Sequence, residues 1–408
     1  MVARRAEKKK WKAKITVKKS KLLEPADIGL LARRMAELGP KRWLLEQLAI
    51  AFVEARKGKI KTYDEHAFEI NWMENIVKLA DAILERRYKP GASVTFVIHD
   101  PMVREIFAAP FRDRVVHHFL YNMQAGWWDR RFIYNSYSCR VGKGTLFGMK
   151  QAQKMMWQVT DGCAKKAMVL KMDIRGYFMS LPRKKLYEKV KLGLDQQFKG
   201  YRNDRAARQI YKICKFLWGQ VLMDDPVGKA RRRGRLSDWN PEILPLEKSL
   251  FCQPEGQGIV IGNLTSQLVS NIYLDALDRY VTYTLGYKYY GRYVDDFFIM
   301  VPERQYEKAK RDLEKIERFL KEELGLKLHP KKRYMQSVYK GMSFLGARVY
   351  PRCLYPSDRL QSKFKEKAYL LACGYGEVES VVSYLGIMVH LDGEKMIRRT
   401  FDALGWRC

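Results

Sequence analysis

Tyr287-Lys-Tyr-Tyr290 and, after Gly291-Arg292, Tyr293-Val294-Asp295-Asp296-Phe297-Phe-Ile-Met-Val301 form the stretch on which the fold turns. Aromatic and aliphatic residues flank two adjacent acids, so the pattern predicts strands over 287–290 and 297–301 around a tight polar turn. Two carboxylates in such surroundings are costly to bury unless a cation neutralises them. The other adjacent pair, Asp224-Asp225, is followed by Pro226 and a cationic loop and reads as an exposed turn. A third acid, Asp173, ends the apolar run Val169-Leu-Lys-Met-Asp173, a predicted buried strand. Three aspartates on two adjoining strands suit hard divalent cations, which take oxygen ligands and in pairs activate a hydroxyl and steady a leaving phosphate. Aspartates that merely shape turns are the competing reading of the same residues.

Outward from this centre, helical spacing covers Leu264 to Thr284 and Glu303 to Glu323, and short strands are expected at Gly341–Leu345 and Ala347–Tyr350. The last fifty residues read as a small helical bundle. Upstream, Asp27 to Arg87 reads as two or three helices broken at Gly39-Pro40 and Lys57-Gly58-Lys59. Val94–Ile98 and the run from Arg104 read as extended, leading through Pro110 to a helix over Asp113–Met123. Leu181-Pro182 opens helices that reach about Leu222. A loop over Asp224–Ser249 holds Lys229-Ala-Arg-Arg-Arg-Gly-Arg235.

The 408 residues carry 77 Lys and Arg against 45 Asp and Glu, a formal charge of +32. With 47% hydrophobic and 12% aromatic residues the chain can build packed cores, so this charge belongs to a folded protein with a polyanionic partner, nucleic acid before membrane. Residues 1–21, with ten Lys or Arg and one acid, read as an arm for phosphate backbone or as a solvated tail. Seven cysteines lie scattered with no Cys-x-x-Cys, as expected of reduced thiols inside a cell. The longest uncharged stretch, Gly256–Leu274, is studded with polar residues, so neither a signal peptide nor a membrane span is expected.

The motifs themselves resemble a known family. Asp173-Ile-Arg-Gly-Tyr-Phe178 and Tyr293-Val-Asp-Asp296 are similar to the two carboxylate motifs of reverse transcriptases. Five further blocks arrive in that family's order. They are Arg104-Glu-Ile-Phe-Ala-Ala-Pro-Phe-Arg-Asp-Arg-Val-Val-His117, Ser136-Tyr-Ser-Cys-Arg-Val-Gly-Lys-Gly144, Ile261-Gly-Asn-Leu-Thr-Ser-Gln267, Leu324-Gly-Leu-Lys-Leu-His-Pro-Lys331 and Gly341-Met-Ser-Phe-Leu-Gly346. The resemblance implies an α+β right-hand polymerase: a basic arm over 1–25, fingers over 26–165, a palm with an antiparallel sheet over 166–350 with a fingers insertion at about 181–260, and a helical thumb over 351–408.

It also implies roles. Asp173, Asp295 and the carbonyl of Ile174 would hold two Mg²⁺ ions, with Mn²⁺ able to substitute, and Asp296 would stand beside them as ligand or charge partner. Phe178 would be the ring that excludes a ribose 2′-hydroxyl; a plain core Phe is the alternative. Arg104 would grip the incoming triphosphate. Where the family often has Lys two positions earlier this chain has Met102, which leaves Arg104 and Arg112 to carry that grip. Lys331 would stand near the leaving pyrophosphate, Ile261, Gly262 and Gln267 beside the nucleotide, and Gly341 and Gly346 along the primer. Arg231, Arg232 and Arg233 are candidate phosphate contacts.

Where relatives usually have Gln-Gly, three residues and Ser-Pro, this chain has Ile261-Gly262, three residues and Ser266-Gln267. That variant resembles enzymes of diversity-generating retroelements, which copy a template-repeat RNA with errors at adenines for mutagenic retrohoming. The implied partners are template RNA, the RNA/cDNA hybrid, deoxynucleoside triphosphates and a small pentameric helical accessory protein, with a cytoplasmic location and a prokaryotic or phage-encoded origin. A group II intron-like or defence-associated reverse transcriptase and a catalytically inactive RNA-binding relative are the alternatives.

Overall fold

Residues 25–58, 62–100 and 102–406 are described by the computed structural model; the basic arm expected over 1–25 lies outside them but for its last residue. Helix α1 (Ile28–Ala55) starts where the Asp27 carboxylate accepts the free N–H of Leu30 at 3.0 Å, and it kinks at Gly39-Pro40, the break the sequence marks. Then come α2 (Tyr63–Ile70), α3 (Trp72–Leu84), β1 (Val94–Ile98), β2 (Arg104–Ala108), α4 (Phe111–Asp129), α5 (Thr145–Val159) and β3 (Ala167–Asp173). Next are α6 (Arg183–Gln197), α7 (Arg205–Met223), the two-residue β4 (Arg231–Arg232) and α8 (Leu264–Arg279), which ends in a π turn over Tyr280–Thr284. Last are β5 (Tyr289–Tyr293), β6 (Asp296–Pro302), α9 (Tyr306–Glu322), β7 (Tyr334–Ser337), β8 (Met342–Phe344), β9 (Ala347–Val349), β10 (Leu354–Pro356), α10 (Asp358–Ala372), α11 (Val378–Met388) and α12 (Glu394–Ala403). The class is α+β with an antiparallel core sheet.

The chain divides into two compact units, residues up to 132 with 181–273, and 133–180 with 274 onward. In the first, α1 packs on α3, α4 and α7, and a small sheet runs β2-β1-β4. Strand β2 buries Glu105 completely, and its carboxylate accepts Trp239 Nε1 at 2.7 Å, Ser249 Oγ at 3.1 Å and the Leu250 N–H at 2.6 Å. An acid with three donors no longer wants water, so it serves as the anchor for the long loop between α7 and α8.

The second unit holds the sheet β5-β6-β3-β7, antiparallel throughout, and a three-stranded sheet β10-β9-β8. Residues 133–165, expected with the fingers, group here. The reason is α5, whose Met149, Ala152 and Met156 are buried against Val169, Phe298, Met300 and Phe344. The helices after 357 have a small core of their own around Phe364, Val381 and Met388. Six cysteines fall among the described residues and none is paired; nor, among these residues, is any helix long and apolar enough to cross a membrane.

Beneath the sheet's end lies a fully buried ion pair. Arg292 donates from Nε and Nη2 to the two carboxylate oxygens of Asp278, each at 2.6 Å, from Nη2 to Ser136 Oγ at 3.2 Å, and from Nη1 to the Val294 carbonyl at 2.9 Å. Tyr290 Oη donates to the same aspartate at 2.6 Å. Two desolvated charges survive in this core because nearly every lone pair and proton around them is used. Asp278→Asn should therefore lower stability by about 3–5 kcal/mol in denaturant unfolding, with the paired change Asp278→Leu, Arg292→Met costing less than the single one. A single variant within about 0.5 kcal/mol of wild type would show that the pair carries no such weight.

Candidate active site

The sheet register brings the acids together. Strands β3 and β6 pair so that Asp173 lies opposite Asp296, and β5 and β6 pair so that Tyr293 lies opposite Asp296, leaving Val294 and Asp295 as a two-residue hairpin turn. Side chains directly opposite in an antiparallel pair share a face, so the carboxylates of Asp173 and Asp296 emerge on the side that also carries Val169, Phe298 and Met300. The turn is tied to β3 by the Ile174 N–H, which donates to the Asp295 carbonyl at 3.1 Å. On the far side, His329 N–H reaches the Asp173 carbonyl at 2.8 Å, and Ile174 forms a bridge with Leu328. Backbone on both flanks thus fixes the Asp173 and Asp295 positions.

Val294 has φ +56, in the left-handed region, where a β-branched residue costs about 1–2 kcal/mol. A two-residue hairpin with positive φ at its first central residue has the hand that matches strand twist, and glycine is its usual occupant. The Arg292 hydrogen bond to the Val294 carbonyl holds the peptide in place against that strain.

Two lysines unforeseen in the sequence attend the acids. Lys171 Nζ lies 2.6 Å from Asp296 Oδ1 and is largely buried; Lys332 Nζ lies 3.3 Å from Asp173 Oδ1. Lys171 was legible in principle, since in a strand it shares a face with Asp173 two residues on. The lysine expected near this chemistry, Lys331, places its backbone N–H 3.2 Å from His329 Nδ1, and it is its neighbour Lys332 that reaches the carboxylate. Burial pushes Asp295 up to about 7, and Asp173 nearby adds to the rise. Burial likewise pushes Asp296 up to about 6, against the pull of Lys171. Among the described residues no three carboxylate, His or Cys side chains stand in ligating geometry as they are, and Lys171 and Lys332 each pair with one of these acids. The donor chemistry nevertheless fits hard divalent ions: three carboxylates face two ammonium groups, and the two acids of the turn remain under-neutralised.

Phe178 follows on a helical turn, Tyr177–Ser180, its ring half-buried and edge-on to Tyr177 at 5.4 Å between centroids. Gly341 immediately precedes β8 with φ +74, and a Cβ there would meet the Tyr350 ring at 2.6 Å; Gly346 sits at the tip of the β8–β9 hairpin.

The remaining expected site residues lie in the first unit. Arg104 is exposed at the start of β2, on the opposite face from buried Glu105 and on the same face as Ile106. The Phe107 N–H donates to the Ile261 carbonyl at 2.9 Å, and Gly262, with φ +127, comes so near that a Cβ would lie 2.8 Å from the Phe107 carbonyl oxygen. This close approach explains the glycine. It sets Ile261, half-buried rather than in the core, beside the strand that carries Arg104. Gln267 is exposed one turn into α8. Arg112 is spoken for, donating to Asp113 Oδ1 at 2.9 Å and the Lys89 carbonyl at 2.7 Å. Arg231 and Arg232 form β4 alongside Val94 and Thr95, while the guanidinium groups of Arg232 and Arg233 lie 4.1 Å and 5.0 Å from the ring centres of Phe251 and Phe96.

Comparison with known proteins gives one family and a set of remote structural likenesses, among them two telomerases. Telomerase from Candida albicans, in complex with a TWJ fragment of telomeric RNA, is similar at 12% identity and a TM-score of 0.43, over 84% of this chain and 60% of that one. Apo telomerase from Candida tropicalis is similar at 12% identity and a TM-score of 0.41, over 78% and 58%. The chain therefore spans about three fifths of the length of those telomerase chains. No curated protein sequence matches. The model of the reverse transcriptase (RNA-dependent DNA polymerase) family matches residues 102–349, more than half of the sequence and all three aspartates included, and the chain belongs to that family.

Proposed function

We propose that the chain is an RNA-directed DNA polymerase that extends a primer 3′-hydroxyl with deoxynucleotides on an RNA template. The observation that carries this reading is the register that sets Asp173 opposite Asp296 with Asp295 on the adjoining turn. In the right-hand description, the sheet β5-β6-β3-β7 is the palm, the helices after 357 the thumb, and the first unit supplies fingers. Two Mg²⁺ ions, or Mn²⁺ in their place, would lower the barrier by activating the primer hydroxyl and offsetting charge on the leaving pyrophosphate. Asp173, Asp295 and the Ile174 carbonyl would hold them, with Asp296 adjacent. Lys332 has the reach to pass from Asp173 to a phosphate once the acid is engaged elsewhere. Phe178 would line the sugar, Arg104 the triphosphate, and the hairpin bounded by Gly341 and Gly346 the primer end.

The finer reading is a cytoplasmic enzyme of a prokaryotic or phage-encoded diversity-generating retroelement, copying a template-repeat RNA inaccurately at adenines with a small pentameric helical accessory protein. Ile261 supports it: a half-buried hydrocarbon stands where relatives place a side chain able to hydrogen-bond, so the pocket gives up polar discrimination between base pairs.

Three outcomes test these proposals. Asp295→Asn should abolish primer extension on an RNA template while leaving RNA affinity within about twofold, because the residue would hold the metal ions and contributes little to RNA binding; extension at the wild-type rate would remove the mechanism. The second concerns pH. The raised values mean that the metal-free fold gives up stability as pH climbs through about 6 and 7, whereas a divalent ion binds the ionised acids. The apparent Mg²⁺ affinity should rise with pH by up to about tenfold per pH unit for each proton displaced, and the thermal stabilisation by Mg²⁺ should be larger at pH 8 than at pH 5.5. Equal stabilisation at both values would count against metal binding at these acids. Finally, Ile261→Gln should reduce misincorporation opposite template adenine by about 2- to 13-fold per hydrogen bond regained, read by deep sequencing of cDNA. An unchanged error spectrum would dismiss the retroelement reading of this residue.

A further inference from the structure

The first unit carries a second basic feature, distinct from the loop at 229–235. A groove of about 410 Å³ opens between the end of α3 and the N-terminal half of α7, and four cations line it: Arg86, Arg205, Arg208 and Lys212. No acid is among the residues lining it, and all four cations are exposed. Arg205, Arg208 and Lys212 follow each other at three- and four-residue steps on one face of α7, opposite buried Ala207, Ile210 and Leu217. Like charges at those steps repel, and cations in the first turn oppose the helix dipole. A solvated face has no need of either penalty, since alternating signs would keep it equally soluble. Arg86 adds a third cost, a non-glycine residue at φ +57 just beyond α3, a conformation that sets its guanidinium 5.5 Å from the centre of the Phe216 ring.

We infer that this groove binds the phosphate backbone of RNA, a site separate from the carboxylate centre. The two electrostatic penalties are relieved when a polyanion lies in the groove, and the strained Arg86 adds its charge to the same wall. The cations on α7 extend over about 10 Å of helix, a length that follows successive phosphates better than it surrounds a single anion. The half-buried ring of Phe216 lines the groove as an apolar floor between charged walls. The inference rests on the proposal that the protein works on RNA, and it adds a place where a template is held away from the reacting atoms.

The test uses the full chain carrying Arg208→Glu with Lys212→Glu, and a milder Arg208→Gln, Lys212→Gln pair should the reversal lower the melting temperature. The probes are a hairpin RNA with a long stem and, separately, a short oligonucleotide primer on a homopolymer template. Affinity for the hairpin should fall at least about tenfold near physiological salt, and the slope of log Kd against log salt should become shallower by roughly 1.5–2. The maximal rate of extension on the short template should stay at the wild-type value. Unchanged hairpin affinity and slope would overturn the inference. So would loss of extension at an unchanged melting temperature, which would make the groove part of the catalytic machinery, or loss of binding to anionic vesicles alone. Should even the wild-type chain fail to extend a primer, the polymerase reading falls while hairpin affinity still decides the groove.

Discussion

The Arg292–Asp278 pair is the constraint to which the chemistry of the second unit answers. It is fully buried, and the guanidinium that neutralises Asp278 spends its remaining donors on Ser136 and on the carbonyl of Val294. One side chain therefore joins three separate segments: the stretch at 135–137, which is bridged to β5, the end of α8, and the carboxylate-bearing turn. Such a pair contributes modestly to net stability compared with an apolar core of equal volume, because both charges had to be stripped of water. Its value lies in geometry. A bidentate guanidinium–carboxylate contact admits one orientation, and the turn inherits it.

The electrostatics of the turn show a local effect overriding a global one. A chain with a surplus of 32 positive charges would be expected to hold every acid in its ionised form. Charges farther than about 8 Å through solvent are screened at physiological salt, however, so most of that surplus is invisible to a half-buried carboxylate. Nearer at hand, desolvation of Asp295 and Asp296 and the neighbouring Asp173 outweigh Lys171 and Lys332, and both acids of the turn shift upward. Under the proposed function, this is the place where the protein would gain a divalent cation that the rest of its surface repels.

Much of this was legible beforehand for physical reasons that can be named. Strands β3 and β6 are apolar with an acid at one end, and Val94–Ile98 is β-branched, so the two-residue period and the break in polarity located them. The kink at Gly39-Pro40 followed from residues with few conformational options. Other elements were hidden. Strand β7, at the sheet edge, is four half-buried residues with no alternation to read, and α5 has only six buried positions in fifteen, several of them Met and Gly. The anchoring role of Glu105 needed partners more than 130 residues away, at Trp239, Ser249 and Leu250, which no local pattern announces. Lys332 and Lys331 are adjacent and chemically alike, and only the direction of the chain after Pro330 separates them.

The turn between β5 and β6 has a further consequence, for how such a sequence can change over generations. Its two central residues set the pairing of Tyr293 with Asp296, and through it that of Asp296 with Asp173. Replacing a side chain at Val294 leaves this pairing untouched and alters only shape and strain. Adding or removing one residue would slip β6 by a single position against its neighbours and turn Asp296 to the opposite face, together with every apolar side chain along the strand. At Val294 the turn can therefore change in composition but not in length, and insertions or deletions are tolerable only in the loops beyond the sheet.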